Sequence, residues 1–360
     1  MESALIKIFA STATAFVLGI LITPLVTHYL FKYKVWKKKP GKTALDGTVA
    51  TEFERLRNEG ESRSGTETKT PRMGGIVIWG SVMLTVAFLF IAKYVFPNTL
   101  FAELDFFSRA QTWIPLATFF IGAGVGFLND LYDITAKGES GIRLRVRLVF
   151  LAILSGLIGW WFYAKLGVTT VSIPFDGVLT LGILIIPFFM LMTAAIYASG
   201  VIDGIDGLSG GVFIAVFSAY AGVAFVQGQY DLAALSATIA GATLAFLWFN
   251  IPPARFWMTE TGTMALTLTL SVIVFMTDTL GEGNGISLFL IIGLPLIATV
   301  ISNVIQVLSK KFRGGKKVFK IAPLHHHFEA IGWPSYKVTM RYWVISTVCA
   351  IIGLGIAVIA

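Results

Sequence analysis

Ten long apolar runs divide this chain of 360 residues and leave little room for any fold other than a bundle of membrane-spanning helices. A helix needs about 20 apolar residues to cross the hydrocarbon core of a bilayer. Because no water there can satisfy exposed backbone groups, each run must form its hydrogen bonds internally. A kink is expected near Pro295 in the ninth run. The sequence predicts an all-α polytopic membrane protein with spans near 4–31, 74–96, 111–128, 146–164, 178–199, 209–226, 232–250, 262–280, 285–308 and 339–359.

Lysine and arginine are concentrated in alternate connections between these runs. Of the 28 basic residues, 24 lie after odd-numbered runs. Basic residues mark the cytoplasmic side of a membrane protein, so both termini are expected outside and the odd connections inside. Two of these connections, 32–72 and 309–338, are expected to form long cytoplasmic loops of a single membrane domain covering 1–360. A short helix is expected at about 50–58 within the first loop.

The net charge of +8 at pH 7 belongs mainly to this cytoplasmic face. Such a face attracts anionic lipid headgroups and anionic substrates. Nucleic acid is not an expected partner, because the positive charge lies beside membrane spans. Only 13% of the residues are charged, against roughly a quarter in a soluble domain. This composition excludes an ordinary soluble globular protein.

Carboxylates gather at the same face, where three of the odd-numbered runs end. Asp130 and Asp133 follow the third run, Asp203 and Asp206 the fifth, and Glu260 the seventh. Each aspartate pair is spaced i, i+3, which places both side chains on one face of a helical turn. Asp203 and Asp206 could instead cap the start of the sixth span. The set as a whole favours magnesium-assisted chemistry on phosphates, because Mg²⁺ binds one or two carboxylates together with phosphate oxygens.

Three of the four histidines are consecutive, at 325–327, in the connection after the ninth run. Imidazole can donate hydrogen bonds or carry a proton near neutral pH. Hard Mg²⁺ prefers oxygen ligands, so these histidines are expected to donate to phosphates or to the nearby carboxylates. Basic side chains of the same face are candidates for neutralising a diphosphate: Arg143, Arg145, Arg147, Lys316, Lys317 and Lys320.

Six motifs, in this order over about residues 65–350, resemble those of the polyprenyl-phosphate N-acetylhexosamine-1-phosphate transferases. They are Thr-Pro-Arg-Met-Gly-Gly at 70–75, Asn-Asp at 129–130, Asp-Gly-Ile-Asp-Gly-Leu at 203–208, Phe-Leu-Trp-Phe-Asn at 246–250 before Pro-Pro-Ala, Glu-Thr-Gly-Thr at 260–263, and Pro-Leu-His-His-His-Phe-Glu at 323–329. The last one resembles the signature of the branch that transfers phospho-N-acetylmuramoyl-pentapeptide in cell-wall synthesis.

The resemblance implies a homodimeric, ten-span enzyme of the bacterial inner membrane with its active site on the cytoplasmic face. Such an enzyme uses Mg²⁺ to transfer the phospho-sugar of UDP-N-acetylmuramoyl-pentapeptide to a polyprenyl (undecaprenyl) phosphate. The products are lipid I and UMP. Membrane lipids are the expected surroundings of every span.

The same resemblance, taken with the basic residues of this face, assigns roles to individual positions. Glu260 falls where the family binds its magnesium ion. The predicted catalytic residues are Asp130, Asp203, Asp206, His325, His326 and His327. The predicted substrate-binding residues are Lys69, Thr70, Asn250, Trp257, Gln306, Arg145 and Arg147.

Several motif positions depart from the family pattern. Asn129 replaces the first residue of an Asp-Asp pair, and asparagine cannot act as a general base. Glu260 replaces an aspartate, which keeps the oxygen donors but shifts them by about 1 Å. Tyr197 and Gly200 stand where asparagines are usual.

Two alternatives stay open because of these departures. The segment 130–133, Asp-Leu-Tyr-Asp, resembles a sister branch that uses UDP-N-acetylglucosamine. The chain could therefore be a UDP-N-acetylglucosamine–polyprenyl-phosphate N-acetylglucosamine-1-phosphate transferase. It could also be a non-catalytic relative that binds lipid or nucleotide, as Asn129 and Glu260 suggest.

Overall fold

The computed structural model describes residues 2–36, 69–135, 141–175, 177–281 and 283–359. Within these residues nine helical segments are long and apolar enough to span a membrane, or ten if a bent pair of helices counts as one span. This confirms the mostly helical, polytopic fold. The candidate spans are α1 Glu2–Lys32, α2 Gly75–Val95, α4 Trp113–Thr135, α5 Leu144–Leu166, the segment Gly182–Ile202 that contains α6 Ile185–Ala198, α7 Leu208–Val226, α8 Tyr230–Asn250, α9 Thr259–Met276, the pair α10 Gly285–Ile292 and α11 Leu294–Phe312, and α13 Ser335–Ile359.

Short elements connect the spans. They are α3 Leu100–Leu104, a hairpin of β1 Thr170–Ile173 and β2 Gly177–Thr180, α12 Leu324–Ala330, and 3-10 turns at Gly182–Leu184, Ser199–Ile202 and Thr279–Gly281. The hairpin is antiparallel, with Thr170 opposite Thr180. It corrects the fifth predicted span, whose first residues form β2 rather than helix. Asp278 anchors the hairpin, because its carboxylate accepts from the amides of Ser172 at 2.8 Å and Ile286 at 3.0 Å.

The ninth span is broken, which confirms the kink expected near Pro295. Its two helices, α10 and α11, meet at an angle of 74° around Gly293. Proline has no amide hydrogen and cannot continue the ladder of the preceding helix. A side chain at Gly293 would collide with the ring of Phe289. The bend turns α11 away from the axis of α10.

The centre of the bundle is α9, which is almost entirely buried. Glycines let neighbouring backbones approach it. A Cβ atom at Gly126 of α4 would collide with the carbonyl of Glu260, and one at Gly122 would lie 2.9 Å from the carbonyl of Met264. On the α2 side, Gly75 packs against the backbone of Gly262. These close contacts bring the end of α4 and the start of α2 to the first turn of α9.

The two long predicted loops are only partly described. The short helix expected at 50–58 lies outside the described residues. In the second loop, predicted at 309–338, α11 continues to Phe312, α12 occupies Leu324–Ala330, and α13 begins at Ser335. The triple histidine therefore lies on a helix rather than in an irregular loop.

Candidate active site

The segment 70–75 pairs through its backbone with the segment that leads into α9. The amide of Trp257 donates to the Pro71 carbonyl at 2.9 Å, and the amide of Gly74 donates to the Trp257 carbonyl at 2.7 Å. The amide of Met73 donates to Oγ1 of Thr259 at 3.1 Å. Met73 and Thr259 both have left-handed backbones, with φ of 66° and 54°. Non-glycine residues in this region are strained, and such strain is concentrated at functional sites.

Asp130, at the end of α4, has no exposed surface. Its Oδ2 atom accepts from Oγ1 of Thr259 at 2.6 Å, and from the amide and Oγ1 of Thr261 at 2.8 and 2.6 Å. The neighbouring Asn129 donates to its Oδ1 at 3.4 Å and accepts from the amide of Ile142 at 2.9 Å. Asp130 thus fixes the first turn of α9 against the end of α4.

Asp203 reaches the same turn from the opposite side. Its Oδ2 accepts from the amide of Thr259 at 2.9 Å, and its Oδ1 accepts from Oγ of Ser209 at 3.0 Å. Two carboxylates from different connections therefore hold Thr259. Negative charge is favourable here, because the amide groups at a helix N-terminus carry partial positive charge.

Asp206 holds the segment just before this turn. Its carboxylate accepts from the amide of Ala254 at 3.0 Å and from Nε1 of Trp257 at 3.1 Å. Asp203 also accepts from Ser209 in the first turn of α7, the sixth span. Both carboxylates bond to the segment that leads into the eighth span, and their capping of the sixth span stays a prediction.

Three of the predicted substrate-binding residues also hold loops in place. Asn250 accepts from the amide of Gly207 at 3.0 Å and donates to the carbonyl of Phe256 at 2.8 Å. Gln306 accepts from the amides of residues 318 and 319, at 3.1 and 3.0 Å, and donates to the carbonyl of Phe319 at 2.9 Å. Trp257 is only 3% exposed. Their roles toward a substrate stay predictions, but these three side chains shape the site.

Glu260 forms an ion pair with Arg147 of α5. The two side chains are 30% and 19% exposed, so the pair lies at the margin of the buried core. Tyr197 is a polar neighbour of Arg147. The other predicted basic residues of this end, Lys69 and Arg145, are exposed, and Thr70 is half-buried.

A second ion pair joins two motifs that the sequence showed separately. Nη2 of Arg72, in the segment 70–75, lies 3.1 Å from Oδ2 of Asp133. Asp133 lies one helical turn after Asp130 on α4. Arg72 was missed as a site residue. Its position beside the two glycines, and an aspartate spaced i, i+3 from Asp130, were signals that could have identified it.

The three histidines lie on α12, and His325 and His326 pack against the turn between Asp203 and Asp206. A Cβ atom at Gly204 would collide with Nε2 of His325 and lie 2.7 Å from Nε2 of His326. His325 is 0% and His326 4% exposed. Both side chains are therefore part of the packed interior, because α12 docks them against glycine backbone.

Two further contacts orient the histidines. Nδ1 of His326 lies 2.6 Å from Oε2 of Glu329, and Oγ of Ser335 donates to Oε1 of the same carboxylate at 2.6 Å. Nδ1 of His327 accepts from the amide of Lys320 at 3.2 Å. Glu329 and Ser335 were also missed by the sequence analysis. The position of Glu329, one helical turn after His326, was the available signal.

The donors of this site suit a hard cation. Asp130, Asp203 and Glu260 all border the first turn of α9 and offer carboxylate oxygens, which Mg²⁺ prefers. The described residues include no group of three or more His, Cys, Asp or Glu side chains already arranged around one ion. Mg²⁺ commonly binds one or two carboxylates and completes its shell with water and substrate phosphate. Glu260, whose side chain is 30% exposed, fits such a partial site.

Comparison with known proteins shows which family this chain resembles. Residues 112–278 match the glycosyl transferase family 4 model. A phospho-N-acetylmuramoyl-pentapeptide-transferase of Anoxybacillus flavithermus is 32% identical over 358 residues, covering 98% of both chains. One from a Geobacillus species is 33% identical over 84% of this chain and 88% of its own, and one from Clostridium beijerinckii is 31% identical over 96% and 95%.

Proposed function

The chain belongs to the phospho-N-acetylmuramoyl-pentapeptide-transferases of glycosyl transferase family 4, and on that premise we propose that it transfers phospho-N-acetylmuramoyl-pentapeptide from its UDP-linked donor to a polyprenyl phosphate. It is a phosphoglycosyl transferase of cell-wall synthesis. The proposed products are lipid I and UMP. The observation that carries the proposal is the convergence of Asp130, Asp203, Asp206 and Glu260 on the first turn of α9 and the segment just before it, with α12 docked against the turn that carries Asp203 and Asp206.

The proposed setting is the bacterial inner membrane, with this site facing the cytoplasm and both termini outside. The support is the distribution of lysine and arginine along the chain. The two long loops belong to the same single membrane domain in this proposal. A homodimer is proposed from the family resemblance, and no nucleic-acid partner is proposed.

In the proposed reaction an oxygen of the polyprenyl phosphate attacks the β-phosphorus of the UDP-sugar. The bond between that phosphorus and the bridging oxygen breaks, and UMP leaves. A phosphate monoester is largely ionised at neutral pH, since its second pKa is about 6. The nucleophile therefore needs orientation more than proton removal. This agrees with Asn129, which cannot act as a base, and with Asp130, whose Oδ2 already accepts three hydrogen bonds.

Charge stabilisation is the main task of the protein in this reaction. Mg²⁺ bound through Glu260 would supply a Lewis acid beside the diphosphate. Arg147 would donate hydrogen bonds to phosphate oxygens, because a planar guanidinium matches their geometry. His326, held by Glu329, would present its other ring nitrogen toward the turn that carries Asp203 and Asp206. Trp257 and Asp206 would shape the wall that receives the uracil.

One observation favours the sister activity with UDP-N-acetylglucosamine as the second candidate. Asp133 belongs to the segment 130–133, which resembles that branch. It forms an ion pair with Arg72 in the glycine-containing segment 70–75, so it contributes to the structure of the site. The non-catalytic alternative is favoured only by Asn129 and Glu260 at positions where aspartate is usual.

The test is a donor comparison with purified protein, polyprenyl phosphate and Mg²⁺. We expect UMP release and a lipid-linked product with UDP-N-acetylmuramoyl-pentapeptide, at a rate at least about tenfold above that with UDP-N-acetylglucosamine, since a site built to bind one donor rejects a truncated one. The reverse preference would assign the sister activity. No magnesium-dependent UMP release with either sugar would leave only the non-catalytic reading.

Replacing Asp206 by asparagine is expected to impair use of the nucleotide. The variant keeps the volume but loses the charge that accepts from Ala254 and Trp257. We expect KM for the UDP-sugar to rise by about tenfold, because hydrogen bonds to charged groups contribute roughly 1.5–3 kcal/mol. The corresponding Asp203→Asn variant should behave similarly through Thr259. Unchanged KM values in both variants would contradict the assignment of this turn to the nucleotide.

Replacing Gly204 by alanine is expected to displace α12 and its histidines. The added Cβ atom would collide with His325 and crowd His326. A misplacement of about 1 Å can lower a rate about a hundredfold, and we expect turnover to fall by that order. The matched control is Gly200→Ala, whose Cβ atom would lie 3.3 Å from Thr263 and needs only a small adjustment. Equal turnover in the two variants would show that α12 does not contribute to the reaction.

A further inference from the structure

The carboxylate proposed to bind magnesium already has a cation of the protein beside it. Nη1 of Arg147 donates to Oε1 of Glu260. Because the two side chains are only 19% and 30% exposed, water screens the pair incompletely. A dication placed at Glu260 would be repelled by the guanidinium as long as the pair persists. Arg147 and a metal ion therefore compete for one carboxylate.

Arg147 also has capacity for a second partner. A guanidinium carries five N–H donors in a planar fork, which suits a phosphate group. The Nε atom of Arg147 is buried and has no hydrogen-bond partner among the described residues. A buried donor without a partner is unfavourable, and an incoming phosphate oxygen would relieve this. Arg147 is thus attracted by two anions, one belonging to the protein and one to the substrate.

We propose that Arg147 exchanges partners during substrate binding. It holds Glu260 in the free protein, moves to the diphosphate of the UDP-sugar when that donor binds, and so releases Glu260 to the metal ion. The inference rests on the proposed function, because it takes Glu260 as the metal ligand. Metal and nucleotide then strengthen each other's binding by the same factor, as linkage requires. The site admits its metal ion readily only when phosphate is present.

The first test titrates nucleotide-free protein with Mn²⁺ alone, followed by electron paramagnetic resonance. Arg147→Met removes the competitor, and we expect Mn²⁺ to bind about tenfold more tightly, a typical coupling between two sites. Glu260→Gln should lose this Mn²⁺ site. The control is Arg255→Met, which removes an exposed positive charge from the loop before α9 and should leave the Mn²⁺ affinity near the wild-type value.

The second test measures binding of UDP in the presence of EDTA. Here Glu260→Gln removes the anion that holds Arg147, and we expect UDP to bind about tenfold more tightly than to the wild-type protein. Arg147→Met should weaken UDP binding. Arg147→Met is thus expected to bind Mn²⁺ more tightly and UDP more weakly, whereas Glu260→Gln is expected to do the reverse. Misfolding cannot produce this pattern, because each variant gains affinity for one ligand.

The outcomes separate this inference from the proposed function. Loss of the Mn²⁺ site in Glu260→Gln with unchanged Mn²⁺ affinity in Arg147→Met would overturn the exchange but leave Glu260 as the metal ligand. Full Mn²⁺ affinity in Glu260→Gln would overturn the metal assignment and the exchange together. Unchanged UDP affinity of Glu260→Gln in EDTA would show that the carboxylate does not compete with phosphate for Arg147.

Discussion

Replacing Glu260 by glutamine is expected to lower turnover by at least about a thousandfold, because a bound metal ion supplies several kcal/mol of transition-state stabilisation. Glutamine has nearly the same size and can still accept a hydrogen bond from Arg147, so the fold around α9 should be retained. The measurement is UMP release at saturating concentrations of Mg²⁺ and both substrates.

The control for this variant is Glu260→Asp. It keeps the carboxylate, shortens the side chain by one methylene, and introduces the residue usual at this position. We expect Glu260→Asp to retain far more turnover than Glu260→Gln at high Mg²⁺. Near wild-type turnover in Glu260→Gln would remove Glu260 from the metal site.

Replacing Asp130 by alanine is expected to cause the largest loss of stability at the site. The change deletes an acceptor that receives three hydrogen bonds from Thr259 and Thr261 in a fully buried position. Each buried donor left unpaired costs about 1–3 kcal/mol, so we expect the three together to cost at least about 3 kcal/mol. Thermal unfolding of the detergent-solubilised protein, followed by intrinsic fluorescence, would show a lower midpoint.

Two variants separate the contributions of Asp130. Thr261→Val removes only the hydroxyl of Thr261, one of the three donors to Asp130, and should lower the free energy of unfolding by only about 1 kcal/mol. Asp130→Asn keeps an oxygen acceptor but removes the charge, so its midpoint should lie between those of Asp130→Ala and the wild type. An unfolding midpoint of Asp130→Ala equal to the wild-type value would contradict the anchoring role of this carboxylate.

Much of the fold could be predicted from the sequence because membrane spans are determined locally. Each span must be long, apolar and helical, whatever its neighbours are. Most limits of the predicted spans lie within about four residues of the helix ends, but α4 continues to Thr135, well past the predicted end at 128. The break near Pro295 follows from the missing amide of proline. The exception is the hairpin of β1 and β2, since the apolar residues of β2 cannot be told from the start of a helix by hydropathy alone.

The sequence predicted which residues form the candidate site, but it did not predict which of them are hydrogen-bonded to one another. Acidic residues at the ends of three runs indicated a common face, and the structure brings Asp130, Asp203, Asp206 and Glu260 to the first turn of α9 and the segment just before it. Their hydrogen-bond partners are uncharged hydroxyl and amide groups, such as those of Ser209 and Thr259. Such groups occur throughout the chain, so the sequence does not show which of them is a partner. Glu329 and Ser335 were missed for the same reason, because an ordinary Glu or Ser becomes informative only beside its partner.

The sequence by itself determined the membrane topology class, the order of the motifs, and the residue types able to handle a diphosphate. These are properties of short segments and their composition. Only the tertiary structure decided that Arg147 lies against Glu260, 113 residues further along the chain, and that Asp130 fixes the first turn of α9. Such pairings depend on how closely two helices approach. That approach is set by glycines such as Gly126 on one helix facing the backbone of another, which the pattern along a single chain does not reveal.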